Sequence, residues 1–162
     1  MTLKASTGLR NKLMDTGSMK SIFAASFLKI YSGAVPADAD AAVTGTLLCT
    51  ISIASGGTGV NFATSAVSGV LSKLGSETWS GVNAATGTAT YYRHVAAGDD
   101  GTLSTTQARI QGSVATVGGD MNLASTALTS GATQTVDYSS VPVPGIRNFR
   151  APFFTPFVTT FA

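Results

Sequence analysis

One histidine, His94, one cysteine, Cys49, and one glutamate, Glu77, bound the chemistry open to this chain. Nucleophilic catalysis needs a nucleophile, a base and an orienting third group within hydrogen-bond reach. His94 follows Tyr92 and Arg93, and a strand there puts His94 and Arg93 on opposite faces, which predicts a structural histidine. No Gly-x-Ser-x-Gly elbow presents a serine nucleophile. Cys49 shares an apolar phase with Leu47 and Ile51 and reads as a small buried hydrophobe. Asp38 and Asp40 lie two apart, and Asp99-Asp100-Gly101 resembles a fragment of a calcium loop. Neither has the further carboxylates an oxygen cage requires, so both read as turns in which aspartate bonds its own backbone. Gly56-Gly57-Thr58-Gly59 lacks the Gly-Lys-Ser/Thr of a phosphate loop. One His and one Cys do not make a transition-metal site. The expectation is a non-enzyme with no catalytic residues, no cofactor and no metal.

The elements that would carry these residues are mostly strands. Ser6 caps a short helix over 6–14, with Leu9 and Leu13 on one face and Gly17 at its end; Gly8 in the first turn weakens it. Ser18 to Ala24 adds another turn. Strands are predicted over 26–31, 46–53, around 60–62, over 78–82, 87–95, 108–115, 120–123, 127–128 and 133–138, with 67–74 either strand or helical turn. Residues 35–40 and 99–101 read as loops. Short strands at regular spacing with Gly-rich turns predict an all-β fold, an antiparallel β-sandwich of jelly-roll type. The expected organisation is an N-terminal helical arm over 1–25, a sandwich over 26–141 and an extended arm over 142–162. The expected core is Phe27, Ile30, Leu47, Ile51, Phe62, Trp79, Tyr91, Ile110, Val114, Leu123 and Val136.

Composition narrows the class. Only 11% of the 162 residues are charged, against roughly 25% in an average soluble chain, which excludes charge-driven disorder and heptad coiled coils. No run of about 18 apolar residues is long enough for a membrane-spanning helix. Charge is segregated. Residues 1–29 carry five bases against one acid, a net of +4; residues 30–144 carry three against seven, a net of −4; Arg147 and Arg150 add +2. Basic ends around an acidic body suit docking between copies, and a weakly charged surface suits a subunit covered by neighbours. Too few bases, with no interleaved stacking aromatics, argue against direct nucleic-acid binding.

The tail is the most unusual segment. Val141-Pro142-Val143-Pro144-Gly145 reads as an extended linker. Phe149, Phe153, Phe154, Phe157 and Phe161 then place five of eight phenylalanines in the last fourteen residues, with Arg147 just before them and Arg150 among them. Such a segment is expected to insert into a neighbouring subunit, or else to pack on its own sandwich. Lys4, Arg10 and Lys12 are the matching candidates for partner contacts at the N-terminus.

Several blocks carry a resemblance. Ser6-Thr-Gly-Leu-Arg-Asn-Lys-Leu, Leu28-Lys-Ile-Tyr-Ser-Gly-Ala-Val-Pro-Ala-Asp-Ala-Asp running on to Thr46-Leu-Leu, Gly87-Thr-Ala-Thr-Tyr-Tyr-Arg, Gln111-Gly-Ser-Val-Ala-Thr-Val-Gly-Gly-Asp-Met-Asn-Leu-Ala-Ser-Thr and Ser130-Gly-Ala-Thr resemble small structural proteins of tailed bacteriophages. The likeness covers residues 3–144 and stops before the tail. It implies a virion protein assembled in the bacterial cytoplasm, on head or tail. Together with the charge pattern, the expectation is a capsid decoration (cement) protein, homo-oligomeric and bound to the major capsid protein. The alternative is a tail or neck protein forming a ring. A carbohydrate-binding or hydrolytic tail-tip domain is a lesser alternative, for which the body offers only Trp79, Tyr91 and Tyr92 as a platform and no acid pair.

Overall fold

The computed structural model describes residues 3–142 apart from Tyr138. The chain opens with β1 (Lys4–Ala5), then α1 (Thr7–Asp15) and α2 (Met19–Ile22). Ser6 caps α1, its hydroxyl accepting from the Leu9 amide, and Ser18 caps α2 in a reciprocal box with Ser21. Gly8 has a packing reason for its place: a Cβ there would lie 2.4 Å from the Thr106 carbonyl. Leu9 and Phe23 are wholly buried in the common core, so both helices pack on the body.

The strands follow as β2 (Phe27–Ser32), β3 (Leu47–Ile53), β4 (Val70–Ser72), β5 (Trp79–Val82), β6 (Gly87–Val95), β7 (Arg109–Ala115), β8 (Met121–Asn122), β9 (Ala127–Leu128), β10 (Thr133–Val136) and β11 (Ser140–Pro142). The fold is all-β and sandwich-like. Seven strands run in the order β1-β7-β6-β2-β3-β5-β10, with β9 on β6 and β8 on β7; all these pairs are antiparallel except β7–β8. A second, two-stranded sheet joins β11 to β4. Residues 141–142 are therefore strand rather than linker. Proline is tolerated at the end of a short edge strand, where no ladder bond from its nitrogen is needed.

Two bulges set the phase of the central strands. Ile30 pairs with Cys49 and Tyr31 with Leu47, so Leu48 is the extra residue on β3. Tyr31 pairs with Tyr91 and Ser32 with Ala89, so Thr90 is the extra residue on β6. The first bulge overturns the simple alternation expected of β3. Leu48 turns into the core and Leu47 is left 37% exposed. Phe27 also departs from expectation: Leu28 and Ile30 face the core, and Phe27, one step out of phase, is half-buried.

The β2–β6–β7 register then sorts the side chains onto two faces. Leu28, Ile30, Tyr92, His94 and Ile110 share the core face, packed with Phe23, Phe62, Trp79 and Val60. Lys29, Tyr31, Tyr91, Arg93, Arg109 and Gln111 share the other. Tyr91 is buried as expected, but on this second face, stacked on Tyr31 with ring centroids 5.0 Å apart.

Candidate functional site

The second face is covered by the loop 36–40, and its cover is polar. Five consecutive backbone carbonyls of this loop accept from side chains of β1, β6 and β7. Gln111 Nε2 donates to Pro36 O at 2.9 Å, Lys4 Nζ to Ala37 O, and Arg93 Nη2 to Asp38 O at 3.3 Å. Arg109 Nη1 reaches both Ala39 O and Asp40 O, at 3.4 and 3.3 Å. A second loop closes on the same cluster. Arg109 Nε pairs with Asp99 Oδ2, Arg109 Nη2 donates to Thr102 O at 2.7 Å, and Lys29 Nζ donates to Asp99 O at 2.9 Å. The Asp40 carboxylate accepts from the Thr7 amide and hydroxyl, tying α1 to the strap.

The acidic loops thus behave as turns. Asp38 Oδ1 accepts from the amides of Asp40 and Ala41, Asp99 Oδ1 from Gly101, and Asp100 Oδ1 from the Thr102 amide and hydroxyl. Hydrogen bonds from Thr102 hold the Asp100 carboxyl below its ordinary pKa. Among the described residues no three His, Cys, Asp or Glu side chains gather closely enough to hold a metal ion.

Arg93 and Arg109 are both fully buried, a use of charge that sequence reasoning missed. Arg109 has a carboxylate partner. Among the described residues Arg93 has none: its Nε donates to Gln111 Oε1 at 2.9 Å and its Nη1 has no partner there. Burial, with Arg109 beside it, draws its guanidinium below the usual pKa. The available signal was register. Arg93 and Gln111 sit in one cross-strand row, with Arg109 in phase two residues earlier, facing a loop rich in carbonyls and carboxylates.

On the core face, His94 has a partner that local sequence could not indicate. Ser26 Oγ lies 2.7 Å from His94 Nε2, and Ser26 also bonds Val60 O. The ring sits against Phe23, Phe62 and Trp79, and burial pulls its pKa down to about 4, leaving a neutral imidazole at pH 7. Ser26 is wholly inaccessible and, among the described residues, no carboxylate bonds the imidazole, so the pair has the distance of a nucleophile and base with a sealed hydroxyl and no orienting acid. Cys49 is likewise sealed, with its thiol pushed up to about 11 by burial. Glu77 is a fastener. Burial opposes its charge, but bonds from the Asn61 amide, Asn61 Nδ2 and Trp79 Nε1 prevail and hold its carboxyl below the ordinary range.

Beyond His94 the core face is not filled. An open crevice of about 600 Å³ runs between β10 and the residues around β8, floored by Leu28, Ile110, Leu123 and Val136. Asp120 and Asp137 stand exposed on its lining, and no Lys or Arg lines it among the described residues. Tyr92 lines it too, its phenol pushed up to about 12 by burial with Asp120 adding to the effect. A smaller hollow of about 290 Å³, almost wholly apolar, lies between α2 and β4 beside Met19, Gly69 and Leu71.

The residues predicted for partner contacts fall into two groups. Lys4 is half-buried and engaged on the strap; Arg10 is exposed and donates to Thr7 Oγ1; Lys12 is half-exposed on α1. Arg147, Phe149, Arg150, Phe153, Phe154, Phe157 and Phe161 lie outside the described residues. Trp79, Tyr91 and Tyr92 are all buried, so these three do not form an exposed sugar platform. No helix among the described residues is long and apolar enough to cross a membrane. The chain matches no protein-family model, no curated protein and no solved structure.

Proposed function

We propose that this chain is a non-enzymatic structural protein of a tailed-bacteriophage virion, a decoration or cement subunit. It would bind the major capsid protein and its own copies and stabilise the head. The observation that carries the proposal is the internal use of charge. A chain with only 11% charged residues spends Arg93, Arg109 and Asp99 in its interior and ties Lys4, Lys29 and Lys73 to backbone carbonyls. The exposed acids of the body are Asp38, Asp100, Asp120 and Asp137, while the tail holds two arginines and no acid. A surface that neutral, with opposite charge on body and tail, suits a subunit that works covered by neighbours. The resemblance to phage structural proteins adds support, because its blocks meet in space: Pro36–Asp40 of one is gripped by Arg93 of another and Gln111 of a third.

The test is deletion of residues 145–162 in the producing phage. Particles carrying truncated protein are expected to hold fewer copies and to lose DNA at lower temperature. Full copy number together with unchanged heat resistance would refute the role of the tail in the shell.

A further inference from the structure

We infer that the crevice between β8 and β10 is the receptor for the Phe/Arg-rich tail, residues 145–157, of a second copy of this chain. The crevice joins three features that such a segment needs. Its floor is apolar, from Leu28, Ile110, Leu123 and Val136, where the tail offers Phe149, Phe153 and Phe154. Its charges are the acids Asp120 and Asp137, where the tail carries Arg147 and Arg150 and no acid. Its wall is β10, which among the described residues pairs with β5 alone, leaving one edge open to an added strand. At about 600 Å³ it has room for a few side chains of the tail rather than for the whole segment.

The described chain turns away from the crevice before the tail begins, which favours an occupant from another copy. Ser139 lines it, but Ser140 to Pro142 pair with Ser72 to Val70 on β4. The described chain ends opposite Val70, beside the small hollow at Gly69 and Leu71, none of which lines the crevice. A tail that leaves one subunit at β4 and enters another between β8 and β10 builds rings or open chains, or a two-fold dimer where two copies exchange tails reciprocally.

The docking rests on the structural-subunit role proposed above, but it is tested on purified protein without particles, so either can fail alone. Two full-length variants are compared by sedimentation with the wild-type chain. One, Gln134→Lys with Asp137→Lys, changes the crevice rim and spares Asp120, whose carboxylate accepts from the Ser113 amide and hydroxyl. The other, Phe149→Ser with Phe153→Ser and Phe154→Ser, blunts the tail. Thermal melts check that both remain folded. Wild type is expected to self-associate, more weakly as salt rises. Each variant alone should associate at least about tenfold more weakly, roughly 1.4 kcal/mol in binding. Mixed together they should form a capped one-to-one complex, since one retains the tail and the other the crevice. A monomeric wild type at about 100 μM, or a mixture that forms no complex, overturns the proposal. The first result would point to docking within one chain.

Discussion

Arg109 Nε pairs with Asp99 Oδ2 in the protein interior, both side chains nearly or wholly inaccessible, and the remaining guanidinium nitrogens take the carbonyls of Ala39, Asp40 and Thr102. One side chain thereby fastens two loops to the face of one sheet. A buried pair of this kind contributes little over an apolar substitute, but removing one partner strands the other charge without solvent.

Asp99→Asn and Arg109→Met are therefore each expected to destabilise the fold by about 3–5 kcal/mol. The double variant should cost less than the sum of the two. Chemical denaturation of the three proteins measures this, and additive losses would mean that the pair is not coupled.

His94 predicts a dependence of stability on pH. Its folded pKa lies near 4, below the ordinary 6.5, so the unfolded chain binds more protons between those values. The histidine's contribution is intact above pH 6.5 and is lost as pH falls towards 4, to a total of about 3 kcal/mol. His94→Gln, which keeps a polar partner for Ser26, should remove most of that slope. Unfolding free energies at pH 7, 6, 5 and 4 give the comparison, and equal slopes in both proteins would count against the histidine.

Cys49 supplies a probe of the core. A Cβ on Gly81 would lie 2.9 Å from its sulfur, and its thiol pKa is raised to about 11, so thiolate is scarce at neutral pH. Alkylating reagents should leave it unmodified in the native protein and label it fully in denaturant. Rapid native labelling would mean that β3 and β5 separate readily.

Most of the strands were legible because the sequence alternates in period two and places Gly, Ser and Thr at the turns, but β1 and β11 were missed and 60–62 forms only isolated bridges. Ser6 likewise announces the first short helix. The bulges at Leu48 and Thr90 were not legible, since a single extra residue leaves no local mark and yet reverses the facing of Leu47. Nor was the Ser26–His94 contact, made across 68 residues by strand pairing. The burial of Arg93 and Arg109 was not legible, because composition says nothing about which loop will cover a sheet.

Counting the chain in purified virions tests the proposed role most directly. Quantitative mass spectrometry against the major capsid protein should find on the order of hundreds of copies per particle, the number a head shell requires. About six or twelve copies would move the protein to a tail or neck ring. Its absence from purified particles would contradict the account.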